Sequence, residues 1–179
     1  MKYDVILADP PWNFETWGEG DRNVSNKYDL METKDICSLS LPSADDCVLF
    51  LWACWPKLYD AMQVIEEWGF TYKTIGWIWI KANRSGFGFF TGMGYYTRAN
   101  SEPCFIATKG KPKRVENKGI QSLIYSPVRE HSRKPDDQYR KVEALYPDKK
   151  YLELFARRKR EGWDSWGNEI ESDISINKL

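Results

Sequence analysis

Seven short runs rich in apolar, β-branched or aromatic residues recur along the chain, and the segments between them carry either helical periodicity or turn chemistry. Val5, Ile6, Leu7 and Ala8 follow one another without a polar break, so residues 3–8 read as a buried strand. A long polar and aromatic loop comes next, through Trp17, Gly18, Gly20, Asn23 and Tyr28, before a short helix whose expected N-cap is Thr33. Cys47 to Trp52 is a second continuous apolar run. Pro56, at a first helical position, opens a helix with Leu58, Ala61, Met62, Ile65 and Trp68 along one face. Residues 71–80 return to strand character through Ile75, Trp77, Ile78, Trp79 and Ile80. The stretch from Gly86 to Tyr96 alternates glycine with aromatics and predicts a mobile loop. Pro103 to Thr108 and Ser122 to Tyr125 read as extended. Pro135, Asp136 and Asp137 open a helix with Tyr139, Val142 and Tyr146 on its apolar face, and Pro147 stops it. Tyr151 to Phe155 and Trp163 to Trp166 complete the strands.

Strands alternating with helices predict an α/β fold with a mostly parallel sheet and helices on both faces. A chain of 179 residues suits one domain, taken as residues 1–170, with a short acidic tail over 171–179 that is expected to fray. No apolar run approaches a membrane span, and the amino terminus has no basic segment leading into an apolar stretch, so a cytoplasmic, intracellular protein is expected. Cys37, Cys47, Cys54 and Cys104 lack paired spacing, and the single histidine, His131, does not complete a usual zinc set with them; reduced thiols and no metal site are expected.

Charge changes this picture, because a formal net charge of zero conceals an uneven distribution. Residues 1–101 carry 9 Lys/Arg against 13 Asp/Glu, residues 102–160 carry 16 against 8, and the remainder 1 against 5. Two knots stand out, Lys109 to Lys118 and Arg157 to Arg160. Each suits a phosphate backbone, and each suits a solvated loop equally well.

The sharpest chemistry follows the first strand. In Asp9-Pro10-Pro11-Trp12 the two prolines fix φ, lack N–H donors and push Asp9 out of helical geometry, so the strand ends in a stiff turn. In open α/β sheets the carboxyl ends of strands are where ligands bind. The Asp9 carboxylate and the Pro10 carbonyl can each accept one N–H of an aromatic amine, and Pro11 keeps both acceptors rigid. Trp12 is expected to stack on a purine rather than close the core beside the prolines, because its ring follows the two acceptors directly.

Together with Ser132-Arg133-Lys134-Pro135-Asp136, Leu152-Glu153-Leu154-Phe155-Ala156-Arg157 and the closing Trp166-Gly167-Asn168-Glu169, this tetrapeptide resembles the MT-A70 family of adenine N(6)-methyltransferases. The resemblance covers nearly the whole chain. It implies a Rossmann-like methyltransferase sheet of permuted order, catalytic motif before cofactor motif, and S-adenosylmethionine as cofactor. By resemblance, Asp9, Ser132, Lys134, Glu153, Arg157 and Asn168 hold the cofactor, and Glu102 and Arg129 lie near the base, where the aromatic rings of Trp12 and Tyr28 also suit a purine. Glu169 stands where the messenger-RNA enzymes tend to have an amide, and the charged residues 158–161 replace a more polar loop.

The function implied is methyl transfer to the 6-amino group of adenine in nucleic acid, with DNA favoured over RNA because the chain holds little beyond a catalytic domain. A noncatalytic nucleic-acid-binding partner subunit is the alternative, against which the intact tetrapeptide speaks. Methylation of a free adenine derivative is a third, against which the basic segment speaks. Monomer, homodimer and heteromer stay open.

Overall fold

The computed structural model describes residues 1–13, 30–94, 96–113, 115–130 and 133–178. Tyr28, His131, Ser132 and the loop through Trp17 and Asn23 lie outside the described residues. Among the described residues, seven strands form one sheet: β1 (Tyr3–Ala8), β2 (Ser43–Trp52), β3 (Thr71–Ala82), β4 (Ser101–Lys109), β5 (Leu123–Pro127), β6 (Tyr151–Leu154) and β7 (Trp163–Trp166). Their order across the sheet is β5-β3-β4-β2-β1-β6-β7. All run parallel except β4, which is antiparallel to both neighbours, β2 and β3. The physical reason is the connection. No helix separates β3 from β4, so the chain returns as a hairpin, whereas a parallel neighbour would need a crossover.

Among the described residues, three helices cover the sheet: α1 (Thr33–Cys37), α2 (Leu58–Glu67) and α3 (Asp137–Leu145). Strand alternation splits the core into two layers. Ile6, Ala8, Leu49 and Leu51 pack with Ile36 of α1 and Ala61, Val64 and Ile65 of α2, while Val5, Leu7, Val48, Phe50 and Trp52 pack with Tyr139, Val142 and Leu145 of α3. Both faces are therefore apolar, which explains the unbroken hydrophobic runs of β1 and β2.

Four local expectations change. Thr33 is the first helical residue, not the cap; its hydroxyl donates to the Asp60 carboxylate and ties α1 to α2. Pro56 sits in a 3-10 turn, Trp55–Lys57, and α2 begins after it. Phe155 leaves β6 with φ of 61°, in the left-handed region, so the strand stops at Leu154. The acidic tail is docked: Asp173 N–H donates to the Ser165 carbonyl (2.8 Å), Ser40 N–H to the Asn177 carbonyl (2.9 Å), and Ile174 and Ile176 pack on the core. Alternation explains this docking, because the tail's two isoleucines, two residues apart, face the same way. The glycine-aromatic loop keeps Phe87, Phe89, Met93 and Tyr96 exposed, with Phe89 edge-on to Tyr125. Among the described residues, no helix is long and apolar enough to cross a membrane.

Candidate active site

The site forms where β1 and β6 end side by side, with Ala8 opposite Leu154 and Leu7 opposite Glu153. Asp9 leaves β1 there, at the carboxyl edge of the sheet. The turn that follows is locked by its own backbone. Trp12 N–H donates to the Pro10 carbonyl (2.9 Å), Met31 N–H to the Pro11 carbonyl (2.8 Å) and Asn13 N–H to the Met31 carbonyl (3.2 Å). A carbonyl oxygen has two lone pairs, so Pro10 keeps one for a further donor.

Asp9 lies in a chain of alternating charges. Lys134 Nζ donates to both of its oxygens, at 2.7 and 2.8 Å, and lies 3.3 Å from Glu102 Oε2. Glu102 Oε1 in turn accepts from Lys81 Nζ at 2.5 Å. Two ammoniums and two carboxylates sum to zero, which is how four charges are tolerated with side chains only 10–30% exposed. Burial lifts the Asp9 carboxyl above its ordinary range, Lys134 and Arg157 oppose this, and Glu102 adds to it. The bidentate contact with an ammonium, a group that only donates, marks Asp9 as a carboxylate in this arrangement. Burial also presses on Glu102, but Lys134 and Lys81 outweigh it and hold this acid down at about 2. Burial works against the Lys134 ammonium, yet Asp9 and Glu102 keep its pKa raised.

Glu153 stands on the neighbouring strand, and its Oε1 accepts from the Tyr139 hydroxyl at 2.9 Å. Its Oε2 is buried without a hydrogen-bond partner. Burial pushes this acid up to about 7, the Tyr139 hydrogen bond opposes, and the nearby Asp9 charge adds to the rise. Next along the chain, Phe155 makes the tight turn that a glycine would usually make, edge-on to Trp166 with ring centroids 5.4 Å apart. Gly167 presses against that turn: a Cβ on it would lie 2.1 Å from the Ala156 carbonyl oxygen. Arg157 Nε is 2.7 Å from Glu169 Oε1, and the exposed Asn168 lies between Gly167 and Glu169.

The structure thus brings together Asp9, Lys134, Glu102 and Glu153, and sets Arg157 and Asn168 on the adjoining turns. It does not present Trp12 for stacking. That side chain is 5% exposed, and its indole N–H donates to the Trp52 carbonyl at 3.0 Å. The expected stacking role of Trp12 is thus corrected: its indole closes the core. Arg129 stands one layer back, donating to Asp136 Oδ2 (2.7 Å) and to the Lys134 carbonyl (2.8 Å), so it holds the backbone of the lysine that meets Asp9. The site also includes Lys81, just after the run read as a strand over 71–80, and Tyr139, read from the sequence only as part of a helix's apolar face. Lys81 carries a signal, a cation directly after the apolar run Ile75 to Ile80; Tyr139 carries none, because its ring reads as core.

These residues fit S-adenosylmethionine. A buried carboxylate oxygen on Glu153 lacks a donor, Asp9 and Glu153 suit a cation and hydroxyls, and the strained turn at Phe155 lies at the strand end where such ligands bind.

The MT-A70 family model matches residues 3–169. The chain is 32% identical to the type II methyltransferase M.MunI of Mycoplasma sp, with 94% of this chain and 78% of that protein covered. It is 33% identical to an N(6)-adenosine-methyltransferase MT-A70-like protein of Arabidopsis thaliana, with 98% of this chain and 25% of that protein covered. It is 29% identical to the human N(6)-adenosine-methyltransferase catalytic subunit METTL3, with 95% of this chain and 28% of that protein covered. The chain therefore spans most of the bacterial relative and about a quarter of the plant and human ones. With the family model spanning almost all of β1 to β7 and the tetrapeptide at the sheet's carboxyl edge, the chain belongs to the MT-A70 family.

Proposed function

We propose that this protein is an adenine N(6)-methyltransferase that acts on nucleic acid, prefers DNA and uses S-adenosylmethionine. The observation that carries this reading is the Asp9 carboxylate beside the half-free Pro10 carbonyl, in a turn whose backbone is held on both sides. DNA is favoured because the chain covers 78% of the bacterial type II methyltransferase but only about a quarter of the plant and human adenosine methyltransferases.

The 6-amino group of adenine is a poor nucleophile, since its lone pair is delocalised into the ring. Two acceptors placed at Asp9 and Pro10 can each take one N–H, which turns the lone pair out of the ring plane and stabilises the positive charge that grows on nitrogen. When bound, the cofactor supplies a methyl group on a sulfonium centre; as the N–C bond forms and the C–S bond breaks, the amine must lose one proton. Asp9, lifted by burial and still about one-third open to solvent, is the group placed to receive that proton and pass it to water. Lys134 and Glu102 set the charge around it and hold its orientation. Glu153, Arg157 and Asn168 are the residues that would hold the cofactor.

Nucleoside mass spectrometry on DNA and RNA treated with the protein and cofactor tests the reaction and the polymer together. N(6)-methyladenine is expected in DNA; its absence from both polymers, with a folded protein that binds the cofactor, sinks the reading. Product in RNA alone sinks the preference for DNA.

A further inference from the structure

Two basic knots in the sequence suit a phosphate backbone equally well, and the topology separates them. Because β4 runs antiparallel, it carries Lys109 to the amino-terminal part of β2, opposite Cys47, and Lys111 N–H donates to Asp46 at 2.7 Å. That knot lies at the end of the sheet away from Asp9. The knot at Arg157 to Arg160 begins just past β6, at the end that carries Asp9, and runs back to Trp163 at the start of β7.

At this end three guanidiniums converge on one carboxylate. Arg129 Nη1 donates to Asp136 Oδ2 at 2.7 Å, Arg133 Nη2 to the same oxygen at 3.4 Å, and Arg158 Nη2 to Asp136 Oδ1. Arg133 also meets Glu130, at 2.9 and 3.1 Å. Three positive charges against two negative ones leave an excess of one, on side chains that stay 29–43% exposed. The Arg133 Nε is buried without a partner. Mutual repulsion adds to burial in lowering the Arg129 and Arg158 pKa, so the cluster is under-neutralised as it stands. Position ties it to the reacting groups: Arg129 holds the Lys134 carbonyl, and the Lys134 ammonium sits on Asp9. Arg158 and Arg160 pack their guanidiniums over Tyr139, at 5.9 and 4.6 Å, which braces them against the core.

We propose that Arg133 and Arg158, converging with Arg129 at Asp136, grip a backbone phosphodiester of the nucleic acid beside the target adenine. This rests on the nucleic-acid reading above and names where the polymer is held. Guanidinium forks match phosphate oxygens in pairs, and three preset forks cost little ordering on binding. Asp136 acts as the internal anion that keeps them converged.

The test uses the intact protein with a fluorescent adenine-containing DNA oligomer, a matching RNA oligomer and, separately, S-adenosylmethionine. Arg133→Gln and Arg158→Gln are each expected to weaken oligomer binding roughly tenfold at low salt and to lower the slope of log affinity against log salt by about one, with cofactor affinity unchanged. Arg158→Lys is expected to recover the slope and part of the affinity, since charge is kept while the fork is lost. Unchanged oligomer affinity and slope in variants that still bind cofactor overturns the proposal while leaving the methyltransferase reading intact. Loss confined to cofactor affinity also overturns it, assigning the cluster to the cofactor's own carboxylate. A wild-type protein that binds neither oligomer overturns both.

Discussion

At the scale of single residues, the site is a balance of buried charge. Asp9 shares Lys134 with Glu102, and Glu102 shares Lys81, so removing any one group leaves its neighbour uncompensated. Asp9→Asn keeps the shape but gives up one acceptor and the negative charge; turnover measured with labelled cofactor is expected to fall 10²- to 10³-fold, with thermal unfolding still cooperative but moved to lower temperature, because Lys134 keeps only Glu102 as a carboxylate partner. Retained turnover would remove Asp9 from the chemistry. Glu153 gives a pH signature of opposite sign to Glu102. Its folded pKa of about 7 lies above the ordinary value of 4.5, so the folded state binds the extra proton and stability falls as pH rises from about 4.5 to about 7. Glu153→Gln should therefore raise stability by about 1–2 kcal/mol at pH 8 and barely at all at pH 4. Denaturant titrations at both pH values check it, and an equal effect at both would refute the burial argument. Glu102, held at about 2, contributes stability that is complete above its ordinary value of 4.5 and disappears as pH falls towards 2.

At the scale of elements, what matters is how strand ends are turned. The Asp-Pro-Pro-Trp turn was legible in the sequence because proline geometry is local; the fate of Trp12 was not, because an indole directly after two acceptors reads as a platform and only the fold makes it a wall. The Trp52 carbonyl decides it. Trp12→Phe keeps most of the volume but strands that buried acceptor, and a loss of about 1–2 kcal/mol is expected in denaturant unfolding. No loss would mean the hydrogen bond does not matter. The turn after β6 reads as strand in the sequence for a related reason: Phe155 has strong β character, yet its backbone takes a left-handed turn against which Trp166 and Gly167 pack. Phe155→Gly and Phe155→Ala lose the same ring contact. The glycine variant should be the more stable of the two by about 1 kcal/mol, since only alanine keeps the backbone strain.

At the scale of the molecule, the tail shows how far contacts reach across the sequence. Asp173 receives Ser165 N–H at 2.9 Å and pairs with Lys159 at 2.5 Å, and Ile174 and Ile176 close over the layer that holds α1 and α2. Ending the chain after Glu171 is expected to cost roughly 2–4 kcal/mol, from two half-buried isoleucines and their backbone bonds. A truncated chain as stable as the full one would show that the tail only rests on the surface.

Local pattern determined a great deal. Unbroken apolar runs marked β1 and β2 because both sheet faces are covered, helical spacing marked α2 and α3, and the position of Asp9 at a strand's end followed from the prolines alone. Three things came only from tertiary structure, each because it depends on groups distant in sequence. Reversal of β4 follows from hairpin return within the sheet. The Asp9–Lys134–Glu102–Lys81 chain joins four segments whose charges look ordinary one at a time. The sorting of two similar basic knots, one at the edge with Asp9 and one away from it, depends on strand direction, which charge spacing does not encode.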